Sequence, residues 1–178
     1  MRLENSFEVP APPERAWALL LDVPRVVPCM PGAELTETVD ETHWKARIAV
    51  KLGPMSMTFA ADVAREQADE AARRVVLSTK ARELKNRGGA TATIESTLEP
   101  VEGGTRVLVV TDLQLSGPAA QFGGPVVKTV AGGRTDQFAA CLKGKLADGP
   151  AAADAGAAVR PVSGLALLWR SLLARFRR

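Results

Sequence analysis

MSMTFAADVAR, residues 55–65, decides how this chain is read. Met55, Met57, Phe59, Ala61 and Val63 fall at every second place, and the positions between them are mostly polar or small. A period of two sends alternate side chains to opposite faces of an extended backbone, so the stretch predicts a strand with one covered face. HWKARIAVK, residues 43–51, behaves alike: Trp44, Ala46, Ile48 and Val50 share one side, His43, Lys45, Arg47 and Lys51 the other. Gly53-Pro54 between them reads as a turn. RRVVLSTKARE, GATATIESTL and TRVLVVTDLQL prolong the alternation, with further turns near Asp69-Glu70, Gly88-Gly89 and Gly103-Gly104. With AELTETV before Asp40, this makes six consecutive strands and hence an antiparallel meander.

The flanks supply what the covered face packs against. Residues 2–9 alternate through Leu3, Phe7 and Val9 and stop at Pro10, which predicts a seventh strand. APPERAWALLLD opens a helix on Pro12 and Pro13, with Trp17, Leu20 and Leu21 on one face. VPRVVPCMPGA is a short second helix or turn, broken at Pro28 and closed by Pro31-Gly32. From Pro118 to Ala147 there is room for a long helix with Phe122, Val126, Val127, Val130, Phe138, Cys141, Leu142 and Leu146 on its apolar side. Gly123, Gly124, Gly132 and Gly133 each lower helix propensity by about 1 kcal/mol relative to Ala, so a bend is expected near Gly132-Gly133. The order is strand, two short helices, six strands, long helix. An α+β fold with a curved antiparallel sheet of about seven strands wrapped around the long helix buries both apolar faces.

Such a wrap leaves room for a cavity between sheet and helix. Ala90 and Ala92 sit where large side chains would fill the sheet face, and Met30, Met55 and Met57 are adaptable walls. Trp17, Leu20, Trp44 and Phe59 are further candidate lining residues, with Ile94 from the sheet and Phe122, Val126, Val130 and Phe138 from the helix. Read one at a time, each is equally a core residue.

Charge divides the chain. Residues 1–147 hold 18 Lys/Arg and 18 Asp/Glu, whereas 148–178 hold five arginines against Asp148 and Asp154, so the whole excess of +3 lies in the tail. A neutral body argues against a nucleic-acid-binding face, which needs a basic stripe to neutralise phosphates. MRLENSFEVP has no apolar run of signal-peptide type, and no segment reaches the roughly 20 apolar residues of a bilayer span, so a cytoplasmic protein is expected. Cys29 and Cys141, far apart and outside any CxxC spacing, are read as separate, buried, small hydrophobic residues rather than redox groups.

Little catalytic chemistry is present. His43 is the lone histidine and faces outward, which disfavours zinc or iron sites and Ser-His or Cys-His nucleophiles. Asp112, Glu95 and Glu83 lie on neighbouring strands, with Asp112 and Glu95 on the solvent face. Arg134 is the charged residue at a spacing that could look inward, and a buried arginine needs a polar partner or a ligand. The glycine pairs join strands and open no helix, so they are turns rather than phosphate cradles. A non-enzymatic binding protein for something apolar, with no metal and no covalent cofactor, is expected.

FEVPAPPERAWALLLD, PCMPGAE at 28–34, KLGPMSMTF at 51–59, GGTRVLVVTDLQLSG at 103–117, AQFGGPVV and DQFAACL together resemble the family of the carbon-monoxide dehydrogenase G subunit, within the START-like or polyketide-cyclase-like (SRPBCC) superfamily. The resemblance spans nearly all of residues 1–147. It implies a helix-grip fold without a catalytic set, and an accessory role beside a molybdenum-containing carbon monoxide dehydrogenase or related molybdenum hydroxylase. It further implies a respiratory quinone, menaquinone or ubiquinone, carried in the central cavity, and attachment to the inner face of the cytoplasmic membrane so that electrons reach the quinone pool.

The tail fits that expectation. After an Ala/Gly/Pro-rich linker over 148–162, residues 163–178 place Leu165, Leu168, Trp169, Leu172, Leu173 and Phe176 on one helical stripe. Arg170, Arg175, Arg177 and Arg178 flank or oppose it, and Leu167 alone breaks the division. A helix of about 15 residues is roughly 22 Å long, too short for a hydrocarbon core of roughly 30 Å, and is expected to lie in the interface. The stripe could instead dock on another protein or on the sheet. Two other readings of the whole stay open. One is a START-like cyclase or hydratase using Arg134 or Asp136; the other is an anchoring factor whose cavity is filled by its own side chains.

Overall fold

The alternation becomes a single seven-stranded antiparallel sheet in the computed structural model, which describes residues 1–85 and 88–147. The strands are β1 (Arg2–Val9), β2 (Ala33–Thr38), β3 (His43–Leu52), β4 (Met55–Asp69), β5 (Arg74–Glu83), β6 (Gly89–Val101) and β7 (Gly104–Leu115). Their order is β1-β7-β6-β5-β4-β3-β2, a meander in which β1 returns to pair with the last strand. Between β1 and β2 lie the short helices α1 (Pro13–Leu21) and α2 (Val23–Val26) and a 3-10 turn over Val27–Cys29. A second 3-10 stretch, Gly117–Phe122, leads into the long helix α3 (Gly123–Ala147). The expected helix from Pro118 is thus a 3-10 lead-in followed by 25 residues of α-helix, which runs unbroken through Gly132-Gly133.

Burial follows parity along β3 and the first half of β4, as the sequence predicts. On β3, Trp44 and Leu52 are buried and His43, Lys45, Arg47 and Lys51 exposed. On β4, Met57, Phe59 and Ala61 are buried while Ser56, Ala60 and Asp62 face out. A bulge between Arg65 and Gln67 shifts the β4–β5 register, and another between Leu35 and Glu37 shifts β2–β3. Such bulges tighten the local twist that curls a sheet around a helix.

Buried side chains gather at the two ends of the strands rather than in one block. At the end carrying the turns 39–42, 70–73 and 102–103, Val9, Trp17, Leu19, Val75, Leu98, Val107, Leu142 and Leu146 pack together. Phe7 meets Phe138 edge-on there, ring centroids 5.9 Å apart. The buried Thr105 hydroxyl donates to the Ala11 carbonyl at 2.7 Å, and Arg15 caps the last turn of α3 through the Leu146 carbonyl at 2.8 Å. At the opposite end, Leu52, Met57, Phe59 and Ala119 form a smaller cluster, with Met55, Leu115, Phe122 and Val130 only partly covered.

One expectation is overturned. Cys29 and Cys141 are not separate thiols but form a disulfide, their Cα atoms 5.3 Å apart across 112 residues of sequence. The meander brings the C-terminal half of α3 back over the turn that follows α2, so two cysteines remote in sequence become neighbours.

Candidate ligand-binding face

The face of the sheet turned toward α3 can be read row by row from the register. The strand pairs Ala46–Ala61, Ala61–Ala81 and Ala81–Ala90 place four alanines side by side across β3 to β6. An alanine side chain ends one carbon from the backbone, so along this row the sheet contributes little to fill the space beneath the helix. The next rows, toward the end carrying the turns 39–42 and 70–73, are Trp44, Val63, Thr79, Ala92 and Leu113, then Leu77, Ile94, Thr111 and Leu3. Apart from Trp44 and Leu3 these residues are half-buried, in contrast to the packed cluster around Trp17 and Leu142.

The predicted lining residues therefore separate into two kinds. Trp17, Trp44, Met57 and Phe59 are 7 %, 4 %, 2 % and 5 % exposed. Side chains so enclosed touch protein on nearly every side and are walls rather than lining. Leu20, Met30, Met55, Ala92, Ile94, Phe122, Val130 and Phe138 keep part of their surface free and are the residues able to meet a ligand. Val126, expected on the apolar side of α3, is instead 38 % exposed beside the buried Val127. A 100° step per residue turns neighbouring side chains apart, and here it is the second valine that is buried.

Four polar residues of this face were not singled out from sequence. Parity places Asn5, Thr79, Ser96 and Thr111 inward, and all are half-buried. None of their side chains has a hydrogen-bond partner among the described residues. They add uncharged donors and acceptors to an otherwise apolar surface, an arrangement suited to a mainly apolar ligand carrying neutral oxygen groups. Register alone reveals them, because only the cross-strand pairing shows that Ser96, Thr111 and Asn5 cluster on β6, β7 and β1.

The charged candidates do not converge. Glu83 is buried, 2 % exposed, opposite Phe59 on the inner face, and accepts the Lys85 backbone N–H at 2.8 Å. Glu95 points outward in a two-pronged pair with Arg74 at 2.8 and 2.7 Å, and the hydrogen bond from Arg74 lowers its pKa. Asp112 is exposed, as is Asp136. His43 is held at the β2–β3 turn by Asp40, whose carboxylate lies 3.0 Å from Nδ1. Among the described residues no group of three His, Cys, Asp or Glu could hold a metal ion.

Arg134 finds its polar partners in the backbone. Its guanidinium donates to the Pro31 carbonyl and, at 2.7 Å, to the Ala49 carbonyl. The close approach of the chains here requires Gly32, at φ +73°, where a Cβ would stand 2.7 Å from the Ala49 oxygen. Burial pulls the guanidinium below the usual arginine range, yet arginine remains a cation at any physiological pH. Arg134 thus fastens the middle of α3 to the β2–β3 edge, and two of its five donors are occupied in doing so.

Two open grooves, of about 800 and 580 Å³, lie on the other face of the sheet. Lys45, Asp62 and Lys80 are common to both, and Arg82, Thr91 and Gln114 extend the first. Ala60 and the strand residues Ala46, Ala61, Ala81 and Ala90 complete the first groove, and Val39, Trp44 and Val63 the second. The tail residues named as a docking helix, 163–178, and the linker 148–162 lie outside the described residues. Among the described residues no helix is long and apolar enough to cross a membrane.

Comparison with known proteins follows the fold. A conserved protein from Geobacillus kaustophilus superposes with a TM-score of 0.74 at 18 % identity, covering 83 % of this chain and 96 % of that one. The Zhui aromatase/cyclase from Streptomyces sp. R1128 gives 0.56 at 16 % identity, with 83 % and 93 % covered. A START superfamily protein from Mycobacterium smegmatis gives 0.53 at 18 % identity, with 83 % and 97 % covered. At these identities the likeness establishes a START-like fold and nothing finer. Comparison with curated protein sequences finds no match. The sequence model of one family does match, over residues 6–147, nearly the whole of the sheet and its helix, and the chain belongs to that family, the carbon monoxide dehydrogenase G subunit (CoxG).

Proposed function

We propose that this chain is a non-enzymatic carrier of a hydrophobic ligand, a respiratory quinone, serving a molybdenum-containing carbon monoxide dehydrogenase or related hydroxylase at the inner face of the cytoplasmic membrane. The observation that carries the reading is the concave face of a CoxG-family domain. Its middle rows are mostly apolar and half-covered over a floor of four alanines, while the core around Trp17 and Leu142 is packed and the smaller cluster at the other end only partly covered. An isoprenoid quinone has the matching chemistry: a long apolar chain and a ring with two neutral carbonyl oxygens. The chain would lie over the alanine row and the ring oxygens would reach the hydroxyl and amide groups of Thr79, Thr111, Ser96 or Asn5. Residues 163–178, with their leucine and tryptophan stripe, would hold the domain at the lipid surface where such a ligand is exchanged.

Quinones quench tryptophan fluorescence, and Trp17 and Trp44 border this face. Titration of the full chain with a water-soluble short-chain isoprenoid quinone should give saturable quenching at one site per chain. Linear, unsaturable quenching would mean collision in solution and leave an anchoring factor without a ligand as the better account.

A further inference from the structure

The domain 1–147 is neutral as a whole, but its cations and carboxylates are not evenly mixed at both ends of the strands. The turns 39–42, 70–73 and 102–103, with the residues beside them, mix both signs: Asp40, Glu41, Asp69, Glu70 and Glu102 stand with Arg73 and Arg74, and Glu14 of α1 pairs with Arg73 at 2.7 Å. The other end is built from the Gly53-Pro54 turn, the turn that follows Glu83, and the first turns of α3. Residues 51–56, 84–85 and 117–131 contain Lys51, Lys85 and Lys128 and no Asp or Glu. The three lysines are exposed and make no ion pair among the described residues, and Glu83, the carboxylate next to this end, is turned into the core. Two of the four large apolar residues most exposed in the described chain stand here as well, Leu84 at 55 % and Val126 at 38 %.

These segments form one surface. Phe122 lies against the Gly53 turn, where a Cβ on the glycine would sit 3.7 Å from the ring. The β5–β6 turn is tied to the end of β7 by the Gly89 N–H donating to the Ser116 hydroxyl at 2.9 Å. Leu84 is fixed by its own N–H donating to the Thr58 carbonyl at 2.8 Å. Exposed leucine and valine among unpaired lysines, without an exposed carboxylate, is the composition of a surface that meets anionic headgroups and inserts apolar tips between acyl chains.

We infer that this basic end of the sheet is a lipid-contact face, which sets the domain upright on an anionic bilayer with the open end of its concave face toward the membrane. The inference shares its partner with the proposed function but does not depend on the tail: it rests on Lys51, Lys85, Lys128, Leu84 and Val126.

Hydrogen exchange of the full chain on vesicles of phosphatidylcholine with about one-third phosphatidylglycerol reads it directly. Residues 51–56, 84–85 and 121–129 should gain protection, and 39–42 and 70–73 should not. Replacing Lys51, Lys85 and Lys128 by Gln should weaken vesicle binding about 100-fold, since each lysine near such a surface contributes about fivefold. Replacing Asp40, Glu41 and Glu70 by their amides should leave binding unchanged or tighten it. Protection confined to 163–178, with the lysine variant binding like the parent, would overturn this inference and leave tail docking standing. Protection of the basic end without any at 163–178 would uphold the inference and remove tail docking. Absence of protection at the basic end on vesicles, with exchange slowed there by an acidic protein, would overturn the lipid assignment.

Discussion

At one end of the sheet Trp17, Leu142 and Leu146 are 7 %, 2 % and 6 % exposed, and the Cys29–Cys141 disulfide ties α3 down. At the other end Phe122 and Val130 are only partly covered, Val126 is 38 % exposed, and a 3-10 lead-in precedes the helix. The same alternating strands run between the two ends, so the sheet does not make the difference. The difference comes from what lies on it: α1, the turn after α2 and the C-terminal half of α3 close one end. A glycine-rich segment beginning Gly123-Gly124 covers the other. Glycine gives little side-chain area to bury and favours the unfolded helix by about 1 kcal/mol per residue relative to Ala. A carrier needs this asymmetry, because one end must hold the fold together while the other opens to admit a ligand.

Substitution at each end puts the asymmetry to the test. Trp17→Ala should cost about 3–5 kcal/mol in urea unfolding, as removal of a buried tryptophan does, and Phe122→Ala about half of that or less. Equal losses would mean that the basic end is as tightly packed as the end holding Trp17. Reduction of the disulfide, or Cys29→Ser with Cys141→Ser, should cost about 2–4 kcal/mol in thermal or urea unfolding, because the bond closes a loop of 112 residues in the unfolded chain. It should speed hydrogen exchange in the C-terminal half of α3 more than in the N-terminal half; the reverse pattern would contradict a helix pinned at its C-terminal half.

The smallest effect is expected at the exposed β2–β3 turn. The Asp40 carboxylate accepts the Thr42 backbone N–H and bonds His43, which lowers its pKa from 3.8 to about 2. A carboxyl whose pKa falls on folding stabilises the fold fully above its unfolded value, and that contribution fades as pH drops from about 3.8 through about 2. Carboxyl NMR titration should place Asp40 near that lower value, and Asp40→Asn should remove this part of the acid sensitivity. A midpoint at the ordinary aspartate value would break the assignment.

Most of the fold is legible in the sequence because a period of two is a local property. Met55 to Val63 and Trp44 to Val50 announce their strands without knowledge of any partner. The site is legible only in part. Which of the apolar residues are walls and which are lining depends on three-dimensional packing, so Met57 and Phe59 look no different in sequence from Met55 and Phe122. Asn5, Thr79, Ser96 and Thr111 are ordinary strand residues until the register sets them on one face. Cys29 and Cys141 are joined by a closure that spans most of the domain, and no local pattern records it. The grouping of Lys51, Lys85 and Lys128 is hidden for the same reason: counts along 1–147 balance, and only the arrangement of the strand ends brings these three together.

The most direct test is mass spectrometry of organic extracts from the full chain purified without detergent, beside an Ala81→Phe, Ala92→Phe variant that raises the floor of the concave face. The carrier account predicts an isoprenoid quinone in near-stoichiometric amount from the parent and little from the filled variant. Equal recovery from both, or none from the parent even after incubation with quinone-loaded vesicles, would contradict it.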